Sequence, residues 1–78
     1  MNLKYEGIIS QDPDVVSGAL VFAGTRVPVE TLIDYLKAGD SIERFQEGFP
    51  TVSRRQIEAF LHIALDAVKT GMHETNPA

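Results

Sequence analysis

Apolar residues recur at Ile57, Phe60, Leu61, Ala64, Leu65 and Val68, the i, i+3, i+4, i+7 spacing of one helix face. Ser53 precedes this run, and Gln56 follows it at the spacing of a capping box. Gly71 stands just past the last periodic residue, where a helix commonly ends. The pattern predicts a helix over 54–70, about 25 Å long at about 1.5 Å per residue. Two shorter helices are predicted ahead of it. The first starts near Pro28, buries Val29, Leu32, Ile33 and Leu36, and ends at Gly39. The second starts at Asp40 or Ser41, with Asp40 and Glu43 at capping-box spacing. It turns Ile42, Phe45 and Phe49 inward, and Gly48 and Pro50 stop it.

Residues 1–27 lack that period. Ile8-Ile9 and Ala19-Leu20-Val21-Phe22 are short apolar runs, punctuated by Asp12-Pro13-Asp14 and Ser17-Gly18. Ala23-Gly24 and Thr25-Arg26-Val27 predict a hairpin turn, with Gly24 free to take positive φ. A ribbon of two or three strands is unstable alone, so it must pack on the helices or pair with a second chain. The expected fold is mainly α with small β: N-terminal short strands or a hairpin, then a tri-helical helix-turn-helix. It forms one domain over 1–72, with the ribbon at 1–27 and the helices at 28–71. The tail at 73–78 has no pattern and is expected to be mobile. A short Gly-Phe-Pro-Thr-Val link between the last two helices suits a helix-turn-helix, although any small bundle shares this outline.

A chain of 78 residues buries only roughly 60% of the surface its unfolded form exposes. With no cysteine to supply a disulfide or thiolate zinc site, oligomerisation is the usual remaining route to stability. No apolar run approaches the ~20 residues that span a bilayer, and the start of the chain does not read as a signal peptide, so a cytoplasmic location is expected. The net charge of −4 weighs against strong general affinity for nucleic acid. Three basic and five acidic side chains lie in 1–38, and four and six in 39–78, so the acid is evenly spread. A basic protein partner suits this balance better than a bare phosphate backbone.

Asp12-Pro13, Gly18 and Phe22-Ala23-Gly24-Thr25-Arg26-Val27-Pro28-Val29 resemble the signature of the DUF433 family. So do Leu36-Lys37-Ala38-Gly39-Asp40-Ser41 and Glu47-Gly48-Phe49-Pro50-Thr51-Val52. The resemblance runs from about Ile8 to Val68 and is most specific over Gly24-Thr25-Arg26-Val27-Pro28. It implies a homeodomain-like helix-turn-helix behind short strands, in small, usually prokaryotic proteins. Several are placed as antitoxins beside PIN-type nuclease toxins, blocking the toxin and repressing their own operon. Members often carry acidic residues where this chain has Arg54-Arg55, so DNA contact has to be argued from the residues present.

In a helix-turn-helix the third helix enters the major groove by its N-terminal part. Ser53, Arg54, Arg55, Gln56, Ala59 and His62 are therefore the candidate DNA-contact residues. Arg54 or Arg55 is placed to grip guanine with two hydrogen bonds, Gln56 to reach adenine or a phosphate, and Ser53 to hold a phosphate. Glu58 and Asp66 share that side and oppose phosphate. The alternative is a solvated pair of arginines. Ala59, Ile63 and Ala67 form a second, narrower stripe that suits a self-dimer contact, a toxin groove or packing against the ribbon. Gly24, Thr25, Arg26 and Pro28 read as a structural motif. Arg26 is expected to bond turn carbonyls, Asp12 or Asp14, with a phosphate contact as the functional alternative. His62 and His73 lack metal-ligand spacing, Ser53 reads as a cap, and no phosphate loop or nucleophile elbow is present. The expectation is no metal, no cofactor and no catalysis: a homodimeric antitoxin binding a PIN-like ribonuclease and operator DNA. A protein-interaction module without a DNA role is the alternative, and a non-catalytic enzyme subunit a weaker one.

Overall fold

The structure, a computed structural model, describes the backbone of residues 6–75 and the side chains of residues 6–72. Its elements run β1 (Ile9–Gln11), one 3-10 turn (Val16–Gly18), β2 (Leu20–Phe22), α1 (Val29–Lys37), α2 (Ile42–Gly48) and α3 (Arg54–Thr75). The fold is mainly helical, with an antiparallel hairpin ahead of three helices, as the pattern predicts. Residues 1–5, assigned to the ribbon from sequence, and residues 76–78 of the expected tail lie outside the described residues.

β1 and β2 pair in the register Ile9↔Phe22, Ser10↔Val21 and Gln11↔Leu20. Between them, Asp12 closes a turn by accepting the Asp14 N–H at 2.9 Å. The chain then reverses through Val16, Ser17 and Gly18 at φ 48°, 55° and 83°. A left-handed backbone strains the β-branched Val16 by about 1–3 kcal/mol. Gln11 Nε2 fastens the reversal by donating to the Gly18 carbonyl at 2.8 Å. After β2, Gly24 takes φ 78°, and Thr25 locks the second turn. Its hydroxyl donates to the Phe22 carbonyl at 2.7 Å and accepts from the Val27 N–H at 3.0 Å. This corrects the role expected of Arg26, which is exposed and forms no hydrogen bond or ion pair among the described residues. Thr25, shorter and already inside the turn, serves both backbone groups.

Pro28 bridges Val21 and then caps α1 with φ −63° and ψ 141°, so the helix begins one residue later, at Val29. Gly39, at φ 89°, ends it as expected. Ser41, not Asp40, caps α2, its hydroxyl accepting the Arg44 N–H at 3.0 Å. Phe22, Leu32, Phe45, Val52 and Ile57 are fully buried and bring the hairpin, all three helices and the α2–α3 link onto one core. Its centre is aromatic: Phe22 meets Phe45 and Phe60 at ring-centroid distances of 6.2 and 5.8 Å, and Phe45 meets Tyr35 at 5.4 Å.

α3 departs from expectation twice. It runs through Gly71 to Thr75, because a helical glycine costs only about 1 kcal/mol and does not by itself end a helix. Its length is then about 33 Å, against about 14 Å for α1 and about 10 Å for α2. The neighbours therefore cover only its first half. Ile57 is buried and Phe60 and Leu61 pack on the core, but Leu65 is 50% and Val68 57% exposed. The radius of gyration of 13.7 Å exceeds the roughly 11 Å of a compact domain of this size.

Candidate interaction surface

The tip of α3 is built from Ser53 to Gln56. The Ser53 hydroxyl accepts the Gln56 N–H at 3.0 Å, and Gln56 Oε1 accepts the Ser53 N–H at 3.1 Å. The capping box read from the sequence is therefore formed in both directions. The same carboxamide reaches across the fold, where Nε2 donates to the carbonyls of Ala23 at 2.9 Å and Gly7 at 3.2 Å. Gln56 thus ties the start of α3 to both ends of the hairpin. Both ends of the carboxamide are engaged inside the molecule, so the expected contact with adenine or phosphate requires Gln56 to leave these partners.

Arg54 is similarly committed. Its Nη1 lies 2.9 Å from Glu43 Oε2 on α2 and its Nε 2.9 Å from Glu58 Oε2 one turn along α3. Donating hydrogen bonds to those carboxylates raises the guanidinium pKa above its ordinary value, so Arg54 stays charged. The Glu43 carboxyl is held below its usual range, first by its own backbone N–H and then by Arg54. To grip a guanine, Arg54 has to leave both carboxylates. Arg55 differs: it is exposed and has no partner among the described residues. His62 is exposed, with Nε2 3.8 Å from Asp66 Oδ2. Ala59, expected to face outward, is partly buried. Of the six candidate DNA contacts, Arg55 projects freely, His62 is exposed beside Asp66, Ser53 and Gln56 hold the cap, Arg54 braces α2 against α3, and Ala59 is partly buried.

The long side of α3 carries the larger opportunity. Ile63 and Ala67 of the second stripe, with Phe60 and Ala64, face Ile9, Ser10, Gln11 and Leu20 across a groove of about 430 Å³. The ribbon approaches the stripe without filling it, and Ala59 stands outside the groove lining. Around the helix lies a second apolar strip, where Leu65 is 50%, Val68 57% and Met72 63% exposed. The sequence periodicity puts Leu65 and Val68 on the continuous apolar face of α3 and gives no surface role to Met72, Ile9 or Leu20. The signal was the mismatch in helix lengths, since α1 and α2 together cannot cover so long a partner. Among the described residues no ionisable side chain is buried, no group of three or more His, Asp or Glu converges as metal ligands do, and no helix is long and apolar enough to cross a membrane.

Comparison with known proteins places this geometry. A family model described as "Protein of unknown function (DUF433)" matches residues 9–64. An uncharacterised protein, y4eO, of Sinorhizobium fredii is 38% identical over 50 residues, 64% of this chain and 23% of that protein. The chain therefore spans less than a quarter of the length of that curated relative. A crystal structure of a DUF433 member protein from Anabaena variabilis superposes with a TM-score of 0.68 at 23% identity, over 88% of this chain and 68% of that one. At that identity the likeness concerns the fold.

Proposed function

As the chain belongs to the DUF433 family, we propose that it is the antitoxin of a type II toxin–antitoxin pair, acting as a homodimer that holds a PIN-like nuclease. The observation that carries this reading is the apolar strip of α3 at Leu65, Val68 and Met72, each at least half exposed. Contiguous apolar surface on a small chain marks a protein-binding face. A helix presenting residues at i, i+3 and i+7 suits a hydrophobic groove on a partner. The chain's net charge of −4 favours a basic partner, such as the RNA-binding surface of a nuclease, and steers the encounter. Blocking that surface sterically and electrostatically is the mechanism of neutralisation.

Operator binding through a helix-turn-helix is the second part of the proposal. It rests on Arg55, which is exposed and unpartnered among the described residues. A protein-only module is the competing reading, favoured by Arg54 and Gln56 being held within the fold.

Coexpression with the product of the adjacent reading frame tests the first part. Val68→Asp and Met72→Asp are expected to abolish co-purification and restore the partner's toxicity while leaving the thermal melt unchanged. Retained binding by both variants refutes the assignment of this strip. A gel shift on the upstream DNA tests the second part. Arg55→Ala is expected to weaken binding by about 1–3 kcal/mol, the cost of one bidentate base contact. No shift by the unmodified chain even at low salt leaves the protein-only module standing.

A further inference from the structure

The hairpin leaves one edge open. The Phe22 N–H donates to Val27 and the Ala23 N–H to Ile8. In the Ile9↔Phe22 register, Ile8 and Ser10 therefore turn their backbone groups toward β2, while Ile9 and Gln11 turn theirs away from it. β2 is bonded on both sides, by β1 and by the Val27–Pro28 segment. β1 is bonded on one: among the described residues nothing takes the outward N–H and C=O groups of Ile9 and Gln11. An unpaired edge of this kind is a template for another strand.

We propose that this edge joins two copies of the chain, β1 against β1 antiparallel across a two-fold axis at Ser10, to give one four-stranded sheet. The edge itself selects the occupant. With the axis at Ser10, Ile9 lies opposite Gln11 of the partner subunit, and Gln11 opposite Ile9 of the partner subunit. Each of these pairs exchanges two N–H···O=C bonds, so every outward group of the two residues is satisfied. Two outward residues flanking one inward residue make the strand its own complement. A slip along the strand leaves outward groups unpaired or turns the apolar face to the other side.

The side chains agree with the backbone. Ile9 and Gln11 share the sheet face of their partners Phe22 and Leu20. Ile9, Gln11 and Leu20 line the groove beneath Ile63 and Ala67 of α3. A two-fold axis normal to the sheet keeps that face common to both copies. The two grooves then open onto one another, and the two α3 helices run antiparallel over one sheet with their Ile63 and Ala67 sides opposed. The covered strip is about 20 Å long, from residues 59–71 at about 1.5 Å each, and about 20 Å wide, one helix diameter plus two strand spacings. That is roughly 400 Å² in projection and more along the ridged surface, below the ~800 Å² per partner of standard interfaces. The dimer is therefore expected to be weak and concentration-dependent. Each copy carries net charge −4, so two copies repel at low salt. Added salt screens that repulsion and tightens the dimer, the opposite of its effect on DNA binding. This inference rests on the homodimer in the reading above and not on the nuclease or operator roles.

The chain has no cysteine, which permits a decisive test. Ser10→Cys puts one thiol on each side of the axis in a non-hydrogen-bonded pair, with Cα atoms about 4.5 Å apart, a separation a disulfide accepts. Mild oxidation of the full chain is expected to give a covalent dimer near completion. Thr51→Cys, exposed in the α2–α3 link, is expected to cross-link only slowly. In sedimentation equilibrium the unmodified chain is expected to follow a monomer–dimer equilibrium. Ser10→Asp, at an exposed position, is expected to raise the dissociation constant severalfold, with an unchanged melt at concentrations where the chain is monomeric. A monomer at every concentration overturns the inference together with the homodimer. A dimer in which Ser10→Cys cross-links no faster than Thr51→Cys overturns the interface and leaves the homodimer standing.

Discussion

Replacing Gln56 by alanine separates a structural clamp from a DNA contact. The carboxamide makes three bonds to backbone: it accepts the Ser53 N–H at 3.1 Å and donates to Ala23 and Gly7 at 2.9 and 3.2 Å. Each is worth about 0.5–1.5 kcal/mol net. Ser53 and Gly7 are exposed, so water replaces those two partners and their bonds sit at the low end. Ala23 is partly buried, and its bond sits higher. The sum is about 2 kcal/mol, a large share of the roughly 4–12 kcal/mol available to a chain of this length. It corresponds to a fall in Tm of about 8–16 °C. Gln56→Glu sharpens the test. A carboxylate still accepts from Ser53, and the helix start favours its charge, but it cannot donate to Ala23 or Gly7 and sets negative charge against two carbonyl oxygens. It is therefore expected to destabilise about as much as alanine, whereas Ser53→Ala costs about 1 kcal/mol. Urea denaturation followed by circular dichroism measures all three. A loss below about 0.5 kcal/mol for Gln56→Ala, or a Gln56→Glu chain at least as stable as the unmodified one, refutes the clamp.

Thr25→Val removes the hydroxyl that bridges Phe22 and Val27 and is expected to cost about 1–2 kcal/mol, with Thr25→Ser close to neutral in the same denaturation assay. Val68→Ala is expected to change stability by less than about 0.5 kcal/mol and Ile57→Ala to cost about 2–5 kcal/mol, since Val68 is 57% exposed and Ile57 fully buried; equal losses contradict the uncovered half of α3. The Glu43 carboxyl, held low first by its backbone N–H and then by Arg54, contributes stability that is complete above the ordinary glutamate pKa of about 4.3 and is lost as pH falls through its lower folded value. Melts taken from neutral to acid pH are expected to show that loss only below this point, and Glu43→Gln to remove its share of the acid decline.

The helices were legible because each carries its own punctuation. Pro28, Gly39, Ser41 and the Ser53–Gln56 box act within one turn of themselves, and local chemistry of that kind survives folding. The turn after β2 was legible for the same reason at Gly24, although Thr25, not Arg26, closes it. What could not be read were consequences of length and of distance along the chain. A periodic stripe says which face of α3 is apolar, not whether two short helices reach far enough to cover it, and the core stops short of Leu65 and Val68. Gln56 shows the second limit. Its bonds to Ala23 and Gly7 span 33 and 49 residues, and no local pattern distinguishes a glutamine aimed at its own hairpin from one aimed at a base. The candidate site was therefore half legible: the helix and its cap were readable, whereas the partners that Gln56 and Arg54 take within the fold were not.

That division bears on how such a chain binds DNA at all. Affinity for a duplex comes largely from phosphate neutralisation and the counterions it releases, and a chain of net charge −4 with Arg54 held between two carboxylates has little to offer as a monomer. Of the two arginines at the tip of α3, only Arg55 is unpaired among the described residues, enough for discrimination at a base step but not for the electrostatic hold that brings the helix there. Pairing two copies doubles the arginines, fixes their spacing and makes the second contact intramolecular, which raises its effective concentration without any new residue. On the proposed reading, operator binding depends on self-association, whereas capture of a protein partner through Leu65, Val68 and Met72 is open to a single copy. Substitutions that block pairing at the β1 edge, such as Ser10→Asp, are then expected to abolish the first in a gel shift and to spare the second in co-purification; loss of both together refutes that separation.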